Sequence, residues 1–155
     1  MSPDNPLLAA DGLPRFSAIR PEHVGPAVDA VLAAYRDGVE ATLAADAPRD
    51  FARVVLAGEA LEDRLNRVWA PVSHLHGVAD GEALRKAYAA AQEKIVAFSS
   101  ELGQNRELYA AVAAVAASEG ATLPPAARAL LDHELRDFRL SGVALEEPAR
   151  TRFRE

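Results

Sequence analysis

No cysteine occurs among the 155 residues, which removes disulfide frameworks, thiolate zinc sites and a cysteine nucleophile together. Positive charge is scarce as well: 17 Lys and Arg stand against 23 Asp and Glu, a formal net charge of -6. A nucleic-acid surface needs clustered cations to displace counterions from phosphates, so nucleic acid is not an expected partner, and neither is anionic lipid. No apolar run approaches the roughly 18 residues that a membrane-spanning helix requires. The opening Met-Ser-Pro-Asp-Asn-Pro has neither the basic nor the apolar region of a signal peptide, which makes a soluble, cytoplasmic protein the expectation. Aromatic residues are only 6% of the chain, and no stretch of four or more residues alternates as a strand would.

Half of the residues are hydrophobic and alanine is abundant, a composition suited to helices packed closely through small side chains. Residues 1–20 contain Pro3, Pro6, Gly12 and Pro14 without a sustained helical period and read as an extended lead-in. The turn Pro21-Glu-His-Val-Gly-Pro26 then feeds a helix, with Pro26 in its first turn, where a missing N–H is harmless. Its apolar stripe is Val24, Val28, Val31, Leu32, Tyr35, Val39 and Leu43, and Pro48 breaks it. Asp50 is placed to cap a second helix carrying Phe51, Val54, Val55, Leu61, Leu65, Val68, Trp69, Val72 and Leu75. Pro71 is expected to kink that helix, and Gly77 and Gly81 to form the turn after it.

The third helix repeats Leu84, Tyr88, Ala91, Ile95, Phe98 and Leu102, with Gly103 as its stop. Asn105 caps a short fourth helix that ends near Gly120. Pro124-Pro125 opens a fifth, which turns Leu130, Leu131, Leu135 and Phe138 inward and stops at Gly142. A sixth is expected from about Glu146 to Glu155, where the sequence ends within an amphipathic turn, as a truncated chain would. The fold class is therefore all-α, a set of antiparallel hairpins of five to six helices occupying residues 21–155 as one helical domain.

Among chemistry-bearing side chains, His133-Glu134-Leu-Arg-Asp137 comes nearest to a catalytic motif. A zincin helix needs histidines at i and i+4 with a Glu between them, and here position i+4 is Asp137. A solvated His-Glu pair with Asp137 in a local ion pair is the favoured reading. His74 and His76, two apart on a helix, point about 200° apart and can share one ion only if the backbone turns. A helix-end histidine bonding free carbonyls is the better role for them. Ser73 beside His74 lacks the geometry that sequence adjacency seldom provides for a dyad. Gly103-Gln-Asn105 has too few glycines and no Lys-Ser/Thr ending for a phosphate loop. Glu59, Glu62, Asp63, Arg64 and Arg67 form a solvated face, with Asp63–Arg67 as an attractive i,i+4 pair, and Trp69 reads as core. No catalytic, cofactor-binding or metal residue is assigned.

Four segments nonetheless share one register: Phe16-Ser-Ala-Ile-Arg-Pro-Glu-His-Val24, Trp69-Ala-Pro-Val-Ser-His-Leu-His-Gly-Val-Ala-Asp80, Glu101-Leu-Gly-Gln-Asn105 and Leu135-Arg-Asp-Phe-Arg-Leu-Ser-Gly-Val143. From about Asn5 onward the chain resembles the amino-terminal helical region of the thimet oligopeptidase family of zinc metallopeptidases. The resemblance implies a mostly helical parent whose two halves flank a narrow channel that admits short unstructured peptides. This region would form part of the channel wall. The family's His-Glu-x-x-His helix and later Glu have no counterpart here, so zinc and oligopeptide substrates belong by resemblance to the full-length parent, and the catalytic region is absent. Taken alone, the chain is expected to bind no stoichiometric zinc, to cleave no peptide, and to self-associate through apolar surface meant for the missing catalytic region of its own chain. Bacterial relatives of this type act in the cytosol.

Two rivals explain the composition. One is a stand-alone helical interaction module that binds a partner helix in a groove. The other is a small metal-binding protein that gathers His23, His74, His76 and His133. Neither accounts for four segments matching one family in order.

Overall fold

Helical periodicity carries through the chain. The computed structural model describes residues 5–9, 12–79 and 81–146, and they hold five α-helices and no strand. These are α1 (Pro21–Leu43), α2 (Ala57–Val78), α3 (Glu82–Gly103), α4 (Arg106–Glu119) and α5 (Pro125–Leu140). The sixth helix expected from Glu146 lies almost wholly outside the described residues. The chain gathers into two compact units, one from Met1–Gly38 with Glu59–Phe98, the other from Val39–Gly58 with Ser99–Glu155.

In the first unit, α1 buries Val24, Ala27, Val28, Val31, Leu32 and Tyr35. It is tied to α3 by Tyr35, whose ring meets that of Phe98 edge-on at 5.0 Å, and by Lys94 Nζ, 2.5 Å from Asp29 Oδ1. Along α2, Leu65, Val68, Pro71 and Val72 are buried. The lead-in is less extended than its composition suggests, with short 3-10 turns at Pro6–Leu8 and Phe16–Ala18. Buried Leu7 and Ile19 anchor it.

Three helix boundaries differ from the sequence reading. α1 starts at Pro21, which places Pro26 beyond the first turn; Pro26 and Glu22 are both exposed, where water can replace the missing N–H donor. At its other end α1 stops at Leu43, five residues before Pro48. The Arg49 guanidinium closes it by donating to the carbonyl oxygens of Thr42 and Leu43. Third, α2 runs through Pro71 and Gly77 to Val78, so Gly77 belongs to its last turn rather than to the connection.

In the second unit the core is Val54, Val55, Ala111, Val112, Val115, Leu131, Leu135, Phe138 and Val143. Ahead of α2, the π-helical turn Ala52–Leu56 packs on α4, and its neighbours Val54 and Val55 both enter this core. Its start is capped twice. Asp50 Oδ1 accepts from Arg53 N at 2.8 Å, and the Glu119 carboxylate accepts from Phe51 N at 3.3 and 3.4 Å. Both carboxylates also suit the positive end of a helix dipole. Asn105 Oδ1 caps α4 through Leu108 N at 3.0 Å, and Pro124-Pro125 opens α5. α4 packs on α5 across the loop 120–124, whose carbonyls at Gly120, Ala121 and Leu123 accept from Arg128.

Gly103 ends α3 for a packing reason. A Cβ there would lie 2.7 Å from both Cβ and Oγ of Ser141. The Ser141 Cβ is fixed to the backbone, so Gly103→Ala forces a shift at the end of α5. Overpacking of this kind costs about 1–3 kcal/mol, which exceeds the roughly 0.4–1 kcal/mol that Gly→Ala gains in chain entropy. A net loss of roughly 1–2 kcal/mol is expected by urea denaturation, and Gly103→Ala with Ser141→Gly should lose less than the sum of the two single changes. At Gly38 the same Cβ would come nearest to Cδ1, Cδ2 and Cγ of Leu61, the far end of a half-buried side chain that can turn aside. Gly38→Ala is the mild control.

Candidate functional site

The lead-in and α2 form the concave feature of the first unit. Asn5, buried, holds the strap at one end: its Oδ1 accepts from Leu7 N at 3.1 Å and its Nδ2 donates to His23 O at 2.9 Å. At the other end, Arg20 N donates to His23 Nδ1 at 3.0 Å, and Arg20 Nη1 donates to Ser17 O and Ile19 O. His23 is the third residue of α1, so it plays the part that Glu plays in a capping box, returning an acceptor to the residue before the helix. His23→Ala should therefore destabilise by about 0.5–1 kcal/mol, while His23→Glu keeps an acceptor and adds a favourable charge at the helix start. Equal losses for the two variants in thermal unfolding would rule out the capping role.

Between these anchors the chain turns at Gly12, whose φ of +85° suits glycine, and leaves Leu13 and Phe16 exposed. Opposite them α2 presents Asp63, Arg67, Ala70, Pro71 and His74, spaced i, i+4, i+7, i+8 and i+11 along one face. The resulting groove has a volume of about 840 Å³. Asp63 Oδ2 takes Arg67 Nε at 2.7 Å, as the i,i+4 spacing predicts, and His74 lies 5.2 Å from the Phe16 ring. Arg15 lines the groove without an ion pair among the described residues. The sequence reading missed this groove, because proline-rich chain next to a charged helix face does not announce a shared cavity.

The other candidate residues are not brought together. His76 stacks on Tyr88 at 4.0 Å, and Trp69 stacks on the same ring at 4.7 Å. A stack for His76 and a tilted ring contact for His74 thus take the place of the helix-end carbonyl bonding expected of them, and Trp69 is half-buried against Tyr88 rather than fully in the core. Because α2 stays helical past Gly77, the two imidazoles remain on different faces. His133 is exposed on α5, where Asp137 pairs with Arg136 at 3.3 Å while Leu135 and Phe138 pack inward. Ser73 stands next to a His74 that faces Phe16. Gly103 and Asn105 serve as helix stop and cap. Among the described residues no three His, Asp or Glu side chains gather as metal ligands would. These residues do not fit a zinc site.

The fold and these side chains define an all-helical domain whose polar groups serve mainly as caps, ion pairs and ring stacks. The chain belongs to the neurolysin/thimet oligopeptidase family: the family model "Neurolysin/Thimet oligopeptidase, N-terminal domain" matches residues 28–150. It is 39% identical to oligopeptidase A of Haemophilus influenzae across 100% of this chain and 23% of the relative. Identity to oligopeptidase A of Salmonella typhimurium is 38%, over 97% of this chain and 22% of the relative. A protein of Arabidopsis thaliana named probable cytosolic oligopeptidase A is 33% identical over 96% of this chain and 21% of its own length. The chain thus spans less than a quarter of the length of these relatives.

Proposed function

We propose that this chain is the N-terminal helical region of a zinc-dependent oligopeptidase, and that it forms part of the channel wall that limits cleavage to short peptides. The match of residues 28–150 to the family's N-terminal domain carries this reading. In it, the chain supplies shape and no reacting group. The zinc ligands and the general base come from the part of the parent outside these 155 residues. Exposed Leu56, Val96 and Leu140 are offered as contacts for that part. The name of the Arabidopsis relative supports a cytosolic setting for the parent, and none of the described helices is long and apolar enough to cross a membrane.

The test compares the 155-residue chain with the product of the complete reading frame on a quenched fluorescent oligopeptide, with and without a chelator. The complete product should cleave in a chelator-sensitive manner, and the 155-residue chain should give no rate above background. Metal-dependent cleavage by the 155-residue chain, or a stop codon directly after Glu155, would overturn the proposal.

A further inference from the structure

We propose that the groove between the lead-in and α2 docks the C-terminal residue of a short peptide, with an apolar side chain seated on Leu13 and Phe16 and the free carboxylate held by Arg15. The choice of a peptide rests on the function proposed above. The groove itself supplies the rest. Its volume of about 840 Å³ falls within the range of roughly 300–1,000 Å³ typical of ligand sites. Leu13 is 90% exposed and Phe16 41% exposed, so two large apolar side chains three residues apart stand in water on one rim. Scattered exposed apolar residues are ordinary, but two that flank one groove form a surface an apolar occupant can cover.

Charge narrows the occupant further. Arg67 is already neutralised by Asp63 at 2.7 Å. Arg15 is the lining cation left without an ion pair among the described residues. An occupant that completes the groove therefore carries one negative charge beside an apolar group. A guanidinium binds a carboxylate through two parallel hydrogen bonds, and the last residue of a peptide places its carboxylate one carbon from its side chain. An internal peptide segment offers such a charge only through an Asp or Glu side chain, whereas every free C-terminus carries it.

The experiment is calorimetric titration of the 155-residue chain with N-acetyl-Gly-Gly-Phe, with the same peptide as its C-terminal amide, and with decanoate. The acid should bind about tenfold more tightly than the amide, the loss expected for one charge-assisted pair. Arg15→Gln should bring the acid down to the level of the amide and leave the amide unchanged. Arg15 is exposed and carries no side-chain packing of the core, so this variant retains the fold. Equal binding of acid and amide to the unaltered chain, or no binding of the acid, overturns the proposal. Decanoate binding as tightly as the peptide does so too, by making the groove a general site for apolar carboxylates. Each of these outcomes leaves the peptidase assignment to its own test on the complete reading frame.

Discussion

Replacing Phe98 by alanine is expected to lower the stability of the chain by about 3–5 kcal/mol, the range for removing a buried aromatic ring. Phe98 is 3% exposed near the end of α3. Its ring receives Tyr35 edge-on at 5.0 Å with an interplanar angle of 60°, and the Arg36 guanidinium sits 4.8 Å from its centroid. Truncation would therefore remove buried area, an aromatic pair worth about 0.5–1.5 kcal/mol, and a cation–π contact worth about 0.5–1 kcal/mol at a partly exposed site. These contributions overlap, so they do not add. Phe98→Leu keeps most of the volume and loses only the ring-specific part, so it should cost less than about 2 kcal/mol. Trp69 lies in the same unit, stacked on Tyr88, and its fluorescence can follow unfolding in urea. A Phe98→Ala loss no greater than that of Phe98→Leu would mean that the cavity collapses, and that α1 and α3 are not held apart by this ring.

Leu131→Ala should cost about 2–5 kcal/mol in the second unit, and Leu140→Ala should stay within about 0.5 kcal/mol. The two leucines lie nine residues apart on the same helix, and the apolar stripe read from the sequence includes Leu131 but not Leu140. Leu131 is 1% exposed and sits among Val112, Val115, Leu135 and Phe138. Leu140 is 69% exposed at the last position of α5. The first leaves a void that close-packed neighbours cannot fill without moving, and the second gives up little area that was out of water. Helix content followed by circular dichroism in urea measures both. Equal losses would show that Leu140 is covered in solution, for example by a second copy of the chain, which is the self-association expected of apolar surface made for the rest of a parent protein.

Much of the fold was legible because helical burial repeats every three or four residues, and a short-range pattern needs no knowledge of distant chain. Asn105, Asp50, Gly103 and Pro125 were each readable as a cap, stop or start, since those roles depend on one residue and its immediate backbone. The family was readable from four short segments in order. The ends of α1 were less so. Its start at Pro21 is supported by His23 returning an acceptor to Arg20, and its stop at Leu43 by Arg49 reaching back six and seven residues. Neither residue type signals a cap by itself.

Read alone, the 155 residues specify a helical fold and contain no cysteine, no clustered cations and no His-Glu-x-x-His motif. Composition and local periodicity settle those points. Tertiary structure decided what the polar residues do. His74 and His76 look like a pair on paper, but an unbroken α2 turns them to Phe16 and Tyr88. The Asp63–Arg67 pair is legible from its i,i+4 spacing, whereas the place of Arg15 on the rim of a groove is not. The Phe16–His74 contact joins chain 58 residues apart, and no short window along the sequence contains both partners.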